Sequence, residues 1–369
     1  MLVLKNLLRR RTRSLLSLLG IALGIASIIA FHAVGRGFKG SLERYMHESG
    51  AEMLVVARAA MAPEFSRVPR EGLDFVRGLP EVEHVSPGTF TIVRAGALKV
   101  KTRMKMLFVF GRVAGDRPVV KFRDHLKGRL YEKEDEMILG ADAAHDLGLG
   151  VGDTLELYTR AFRIVGVYES AIRFEAAGCI MPLRVVQEQL SMGDATSLAF
   201  LYLQKGADWQ KVRDAVDRKF ESLEAIRTDQ FVTHYNQIEY IDWFVWIVSL
   251  ISVAVGGLGV LNTMLMAVSE RTREIGTLRA VGWSRGRVLG LILAEGTLIS
   301  SLGGLVGLGA GTLGAEVLIH WAPRGLDTLY SPMLFVEGFA IAVALGFAGA
   351  LYPAWQASRL SPIEALKYE

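Results

Sequence analysis

The chain has 369 residues, 51% of them apolar and 22% charged, with a mean hydropathy of +0.31. Its single cysteine, Cys179, excludes an intrachain disulfide framework and any multi-cysteine metal site, and reads as a small buried apolar residue. The net charge is +4, yet the block Lys39–Ile238 holds 28 Lys+Arg against 28 Asp+Glu. The excess therefore lies beside the apolar stretches, which points to a membrane-topology signal and away from a nucleic-acid surface.

In chain order, residues 1–13 place Leu4, Leu7 and Leu8 on a helical face opposite the arginines. This predicts an amphipathic helix on the inner leaflet, with a disordered basic tail as the alternative. A membrane span needs about 20 apolar residues, because roughly 30 Å of hydrocarbon is crossed at about 1.5 Å per residue. Ser14–Val34 contains no charged residue, Asp242–Val268 none after Asp242, Val288–Ile319 only Glu295 and Glu316, and Met333–Tyr352 only Glu337. The apolar run of the first segment is too long for a cleaved signal peptide and reads as an uncleaved signal anchor.

Lys5, Arg9, Arg10, Arg11 and Arg13 precede the first span. The loop after the second holds Arg271, Arg273, Arg279, Arg285 and Arg287 against Glu270 and Glu274. The loop after the third has only Arg324 and Asp327. The excess of basic residues predicts that both termini and the 269–287 loop are cytoplasmic, in a multi-pass membrane protein. The predicted layout is a cytoplasmic helix at 1–13, a transmembrane helix at 14–37, and an extracytoplasmic domain at 38–235. A stalk and second span follow at 236–268, then a cytoplasmic loop and short helix at 269–287. Spans at 288–319 and 333–353 flank an external loop at 320–332, and 354–369 form a cytoplasmic tail.

Within the large insert, β-prone runs recur at Met53–Ala57, Phe90–Val93, Met106–Phe110, Phe162–Tyr168 and Leu198–Leu203. Helical patterns alternate with them at Glu71–Gly78, Ala141–Leu147, Leu183–Leu190 and Trp209–Leu223. In the last, Val212, Val216, Phe220 and Leu223 share a face; Pro182 suits the first turn of the Leu183 helix. The fold class expected is membrane α-helical, with four transmembrane helices per protomer. An α+β extracytoplasmic domain of two subdomains is inserted between helices 1 and 2. Thr233–Trp246 lacks Gly, Ser and Pro, and reads as a helical stalk whose Trp243 and Trp246 mark the outer interface.

No phosphate-binding G-x-x-x-x-G-K-[ST] loop occurs. The G-x-G-x-x-G strings at Gly35–Gly40 and Gly309–Gly314 lie at the end of one span and inside another, not in a βαβ unit. Gly303, Gly307 and Gly311 form a small-xxx-small ridge for close helix packing, and Gly20 and Gly24 offer the same in the first span. Packing within a protomer and packing between protomers both fit these ridges. The seven histidines show no metal-ligand spacing, and no catalytic set assembles, so no catalytic, cofactor or metal site is expected. Glu295 is an intramembrane acid suited to hydrogen-bonding a neighbouring helix; an ion relay lacks a second acid nearby in sequence.

Glu270–Val281 predicts a short helix in which Ile275, Leu278 and Val281 form an apolar strip beside several arginines. Gly282 serves as its stop and Ser284 as the cap of the next helix. Docking into a groove of a soluble partner and a solvated charged hairpin both fit this pattern. Ser361-Pro362-Ile363-Glu364 is a capping box opening a short C-terminal helix.

Ser269–Gly311 (SERTREIGTLRAVGWSRGRVLGLILAEGTLISSLGGLVGLGAG) resembles the core segment of MacB/FtsX-type ABC transporter permeases. Tyr352–Glu369 and Arg11–Ala30 are similar to the family's tail and first span. Gly128–Leu157 followed by Phe162–Ser170 resembles its MacB-type periplasmic core domain. The resemblance implies a permease that dimerises, as homodimer or paralogous heterodimer, and pairs with two copies of a cytoplasmic ABC ATPase. ATP and Mg would bind only that partner, whose closure is passed through the membrane to the outer domains. It implies that Glu270, Arg271, Arg273, Glu274, Ile275, Leu278 and Arg279 couple to the ATPase, and that Arg11–Val34 with Thr233–Val268 form the moving stalk. MacB itself carries its ATPase ahead of the first span, whereas only residues 1–13 stand there in this chain. The ATPase is thus expected on a separate polypeptide, an arrangement shared by lipoprotein-release permeases and by FtsX. Export, extraction of a lipoprotein or lipid, and activation of a cell-wall hydrolase without transport all fit, with a periplasmic adaptor or hydrolase as a further partner. A membrane-anchored sensor or enzyme lacks a catalytic constellation to support it.

Overall fold

The structure, a computed structural model, describes residues 11–58, 60, 65–94, 106–158, 160–231, 236–321 and 327–360. The expected amphipathic face of Leu4, Leu7 and Leu8, the capping box at Ser361–Glu364, Arg324 and the first residues of the stalk lie outside the described residues. The chain divides into two compact units. One comprises the residues up to Arg36 with Asp242–Leu318 and Thr328 onward, and the other Gly37–Ile241 with Ile319–Asp327.

Helix α1 (Arg11–Glu48) runs past residue 37, where the sequence pattern ends the first span. The glycine string Gly35–Gly40 therefore sits inside a helix and makes no phosphate loop. The extension has a physical cause: Leu42, Tyr45 and Met46 recur at helical spacing and bury in the core of the inserted domain.

That domain is one ten-stranded mixed sheet with short helices. Its elements follow in order: β1 (Met53–Ala57), α2 (Arg70–Arg77), β2 (Val82–Arg94), β3 (Met106–Arg112), α3 (Arg117–Val120), β4 (Leu126–Gly128), β5 (Glu136–Gly140) and α4 (Ala141–Leu147). Then come β6 (Thr154–Leu157), β7 (Arg160–Tyr168), α5 (Arg173–Ala176), β8 (Gly178–Pro182), α6 (Leu183–Gln189), β9 (Leu198–Leu203), α7 (Trp209–Lys219) and β10 (Leu223–Arg227). The strand order is β10-β1-β9-β2-β3-β8-β5-β7-β4, with β6 on β7. Among the described residues, only β3–β8 and β5–β7 pair in parallel.

The runs Met53–Val56 and Leu198–Leu203 are buried on both faces, which explains their unbroken apolar character. On one face Leu54, Phe110, Ile138, Ile180 and Phe200 join a single cluster with Tyr45 and Met46. On the other, one cluster gathers Val55, Leu201 and Leu223 under Val76, Val212 and Val216, and a separate one gathers Val109, Leu139 and Cys179 under Leu147 and Val186. The two expected subdomains are thus two helix-covered patches on one shared sheet. Helix α7 stops at Lys219 instead of Leu223, because Phe220 turns extended (φ −132°) and Leu223 opens β10. Phe220, half-buried, still packs against Phe75, ring centroids 5.5 Å apart.

The remaining elements are α8 (Asn236–Glu270), α9 (Thr272–Ala280), α10 (Arg285–Trp321) and α11 (Pro332–Ser358). Among the described residues, four helices are long and apolar enough to cross a membrane, at Leu18–Glu48, Asp242–Glu270, Arg285–His320 and Pro332–Ser358. Ser331 caps α11 by accepting from the Leu334 N–H at 3.3 Å, and Pro332 occupies its first turn.

In the bundle α10 lies between two neighbours. Gly307 and Gly311 face α1 so closely that a Cβ would stand 2.7 Å from the Ala22 carbonyl oxygen and 2.8 Å from that of Ala26. Gly303 meets Ile21 in the same way, while Gly296 and Gly304 turn to Ala350 and Ala342 of α11. The ridge therefore packs within the chain. Gly24 approaches the Ser252 backbone of α8, a Cβ there lying 3.1 Å from its carbonyl oxygen. Gly20 has no described atom of this chain within 4 Å of its Cβ position.

Candidate functional site

The coupling residues expected from sequence gather in the hairpin formed by the end of α8, by α9 and by the start of α10. Helix α8 ends because its last side chains bond back to carbonyls. Ser269 Oγ donates to the Leu265 oxygen at 2.9 Å, and Thr272 Oγ1 to the Ser269 oxygen at 2.8 Å. Arg271 leaves helical geometry (φ −113°, ψ 16°), and α9 starts afresh at Thr272.

Nine residues later α9 closes with paired backbone bonds. The Trp283 N–H donates to the Leu278 oxygen at 3.0 Å and the Gly282 N–H to the Arg279 oxygen at 3.1 Å. Gly282 holds φ +96°, the left-handed conformation this closure needs and glycine accepts without strain. Arg279 Nη1 donates to the Trp283 oxygen at 2.9 Å, binding the turn from outside. Ser284 Oγ accepts from the Arg287 N–H at 3.3 Å and caps α10.

Arg271 is the hub. Its Nε donates to Glu274 Oε2 at 3.1 Å, and its Nη1 reaches Glu295 Oε2 at 3.1 Å and Oε1 at 3.4 Å. Glu295, in the second turn from the start of the apolar run of α10, is 7% exposed and surrounded by Val268, Ile275, Leu278, Val288 and Ile292. A carboxylate in such surroundings is tolerable only when paired, and the arginine at the break between α8 and α9 supplies its partner. The sequence separation of 24 residues hid this pairing. The usable signals were a lone acid in an apolar helix and a loop with surplus arginines.

The hairpin has two faces. Ile275 and Gly276 are buried and Leu278 half-buried against the membrane helices, so this part of the expected apolar strip is the seat of α9 instead of its outward ridge. The third member, Val281, is 78% exposed. Arg273, Glu274, Thr277 and Ala280 are exposed with it. Glu270, exposed at the end of α8, takes part in an interaction of its own. The seven expected coupling residues thus separate into a brace (Arg271, Ile275, Leu278, Arg279) and an outward edge (Glu270, Arg273, Glu274).

The other ends of the helices carry a second polar set. Arg36 donates to Ser331 Oγ at 2.7 Å and lies 3.5 Å from Glu337, while Glu316 accepts from Tyr330 OH at 3.0 Å and Thr328 Oγ1 at 3.1 Å. The Leu329 N–H donates to the Ala33 oxygen at 3.0 Å and straps the connection between α10 and α11 to α1. In the inserted domain, an open cleft of about 530 Å³ is lined by Arg77, Glu83, His84, Pro87, Val113 and Asp116. Its polar groups have partners: His84 Nε2 lies 2.6 Å from Asp116 Oδ1, Glu83 pairs with Arg117 at 2.6 Å, and Arg77 with Asp74 at 2.9 Å.

Residues 14–219 match the family model described as the MacB-like periplasmic core domain, and residues 246–362 that of the FtsX-like permease C-terminal domain. The macrolide export ATP-binding/permease protein MacB of Nitrobacter winogradskyi is 29% identical over 394 residues, covering 96% of this chain. The chain spans 58% of that relative's length. An uncharacterized ABC transporter permease of Bacillus subtilis, YknZ, is 25% identical over 404 residues, covering 100% of this chain and 98% of its own. The crystal structure of the periplasmic region of MacB from Actinobacillus actinomycetemcomitans superimposes with a TM-score of 0.37 at 12% identity. It covers 52% of this chain and 95% of that one.

Proposed function

The chain belongs to the MacB/FtsX family of ABC transporter permeases, and from that premise we propose that it is a non-catalytic subunit passing ATPase-driven motion to its inserted domain. The movement serves to export or extract a substrate on the far side of the bacterial inner membrane. Two permease copies and two copies of a cytoplasmic ABC ATPase make up the assembly, and ATP and Mg bind the ATPase. Both termini and the α9 hairpin lie on the cytoplasmic side, a reading supported by the five arginines at Arg271, Arg273, Arg279, Arg285 and Arg287.

One observation carries the proposal: α9 is held to the bundle by Arg271–Glu295 and by Ile275, while Arg273, Glu274, Thr277 and Val281 point away. A short helix so braced transmits force, since load on its outward edge passes to α8 and α10 without being absorbed by a flexible loop. The experiment is reconstitution with the cognate ATPase. Arg273→Glu and Glu274→Lys are expected to weaken ATPase binding or stimulation about fivefold or more, Arg273→Glu with an unchanged melting temperature. Full ATPase stimulation in both variants would remove α9 as the docking element.

A further inference from the structure

The last turn of α1 is gripped at successive points inside the inserted domain. The Tyr45 hydroxyl accepts from Arg112 Nη2 at 2.5 Å, and the Tyr202 hydroxyl donates to the Ser49 oxygen at 2.8 Å. Lys121 Nζ lies 3.9 Å from Glu48 Oε2 and 5.6 Å from the centre of the Tyr45 ring. These grips come from the end of β3, from β9 and from the residue after α3.

Arg112 is the unusual member. It is 4% exposed, and among the described residues no carboxylate lies within 4 Å of its guanidinium. The charge rests 4.9 Å from the centre of the Phe200 ring, and Nη1 has no hydrogen-bond acceptor among the described residues. Ser86 Oγ, opposite Phe200 in the β2–β9 register, is likewise buried without one. Room is made by Gly88, opposite Arg112 in the β2–β3 register, where any Cβ would overlap the guanidinium. The Tyr131 hydroxyl donates to the Arg112 carbonyl oxygen at 2.9 Å and holds the strand end in place.

Stability alone does not explain such a residue. Burying a charge is costly, and apolar side chains of similar volume typically serve a core as well or better. A directional bond offers what apolar packing does not, a fixed rotation and height for the helix that accepts it. With Tyr45 tied to β3 and Ser49 tied to β9, the last turn of α1 cannot turn or slide without pulling β2, β3 and β9, neighbours in the sheet.

We propose that Tyr45 and Arg112 form a positioning joint through which displacement of α1 enters the sheet of the inserted domain; this rests on the coupling function proposed above. The test uses the full chain in lipid nanodiscs with its ATPase partner, carrying nitroxides at Glu71→Cys and Met333→Cys, both exposed positions. Cys179 can remain, because it is fully buried and burial pushes its thiol pKa up, away from reactivity. Distances are measured by pulsed electron resonance without nucleotide and with ATP plus vanadate.

Tyr45→Phe and Arg112→Met are expected to remain folded and keep the ATPase rate while shrinking the nucleotide-dependent shift roughly twofold or more. A full-amplitude shift in both overturns the joint, as does a lowered melting temperature with the amplitude kept. If Arg112→Met does not fold, Tyr45→Phe decides alone, since it removes one hydroxyl. No shift in the unsubstituted protein overturns the coupling function, and the joint with it.

Discussion

Glu136 shows how one side chain ties local geometry to pH. It accepts from both Nη atoms of Arg129, one at 2.8 Å, and from the backbone N–H groups of Glu132 at 3.0 Å and Lys133 at 3.3 Å. The Arg129 guanidinium above all, with these backbone donors, holds its carboxyl at about 2 against an ordinary 4.5. A depressed carboxyl pKa contributes stability above the unfolded value and loses it as pH falls through the folded one. The inserted domain should therefore lose stability between about pH 4.5 and pH 2. Glu136→Gln should melt at a lower temperature at neutral pH and show a flatter dependence across that window in thermal scans. For the hairpin, Arg271→Met leaves the Glu295 carboxylate buried and alone, a change that costs about 3 to 5 kcal/mol where buried pairs are broken. Denaturation of the detergent-solubilised protein should register that loss, and Arg271→Met with Glu295→Leu should recover most of it. A single variant as stable as the parent would show that the pair braces nothing.

At the scale of elements, α10 owes its position to its glycines. Gly307→Ala and Gly311→Ala place a methyl against backbone carbonyls of α1, and overpacking of this kind costs about 1 to 3 kcal/mol. Gly309→Ala is the internal control: no described atom lies within 4 Å of its Cβ position, so the gain in helix propensity should leave stability equal or slightly higher. Thermal unfolding followed by circular dichroism separates the two classes. The small-xxx-small spacing was readable in advance, because periodicity is a property of the sequence. Its partner was not, since a ridge of glycines fits any helix that presents a matching groove. The same limit applied to α9. Spacing put Ile275, Leu278 and Val281 on one strip, but only the bundle decides that Ile275 is covered and Val281 is not. The stop at Gly282 and the cap at Ser284 were legible because they are local. The continuation of α1 to Glu48 was not, because the residues after Gly37 read as polar chain until the core that receives Tyr45 and Met46 exists.

Across the whole molecule, the four membrane helices and the α+β insert follow from two strong signals, unbroken apolar length and alternating charge balance. The proposed orientation has a direct test. Val281→Cys should react in intact cells only with membrane-permeant maleimides, and Glu71→Cys should also react with impermeant ones. Reversed labelling would place the α9 hairpin on the wrong side for a cytoplasmic ATPase. The sheet carries a consequence for biosynthesis as well. Strand β1 pairs with β10, Met53 standing opposite Arg227, although about 170 residues separate the two strands in the chain. Contacts so distant in sequence form late, because the loop they close must be ordered first. A nascent insert therefore holds β1 with both edges open until β9 has been translocated, and with one still open until β10 follows. Throughout that interval, the unpaired edge is open to wrong strand partners. Slow or interrupted translocation should thus mark this protein for quality-control proteolysis before α8 ever enters the bilayer.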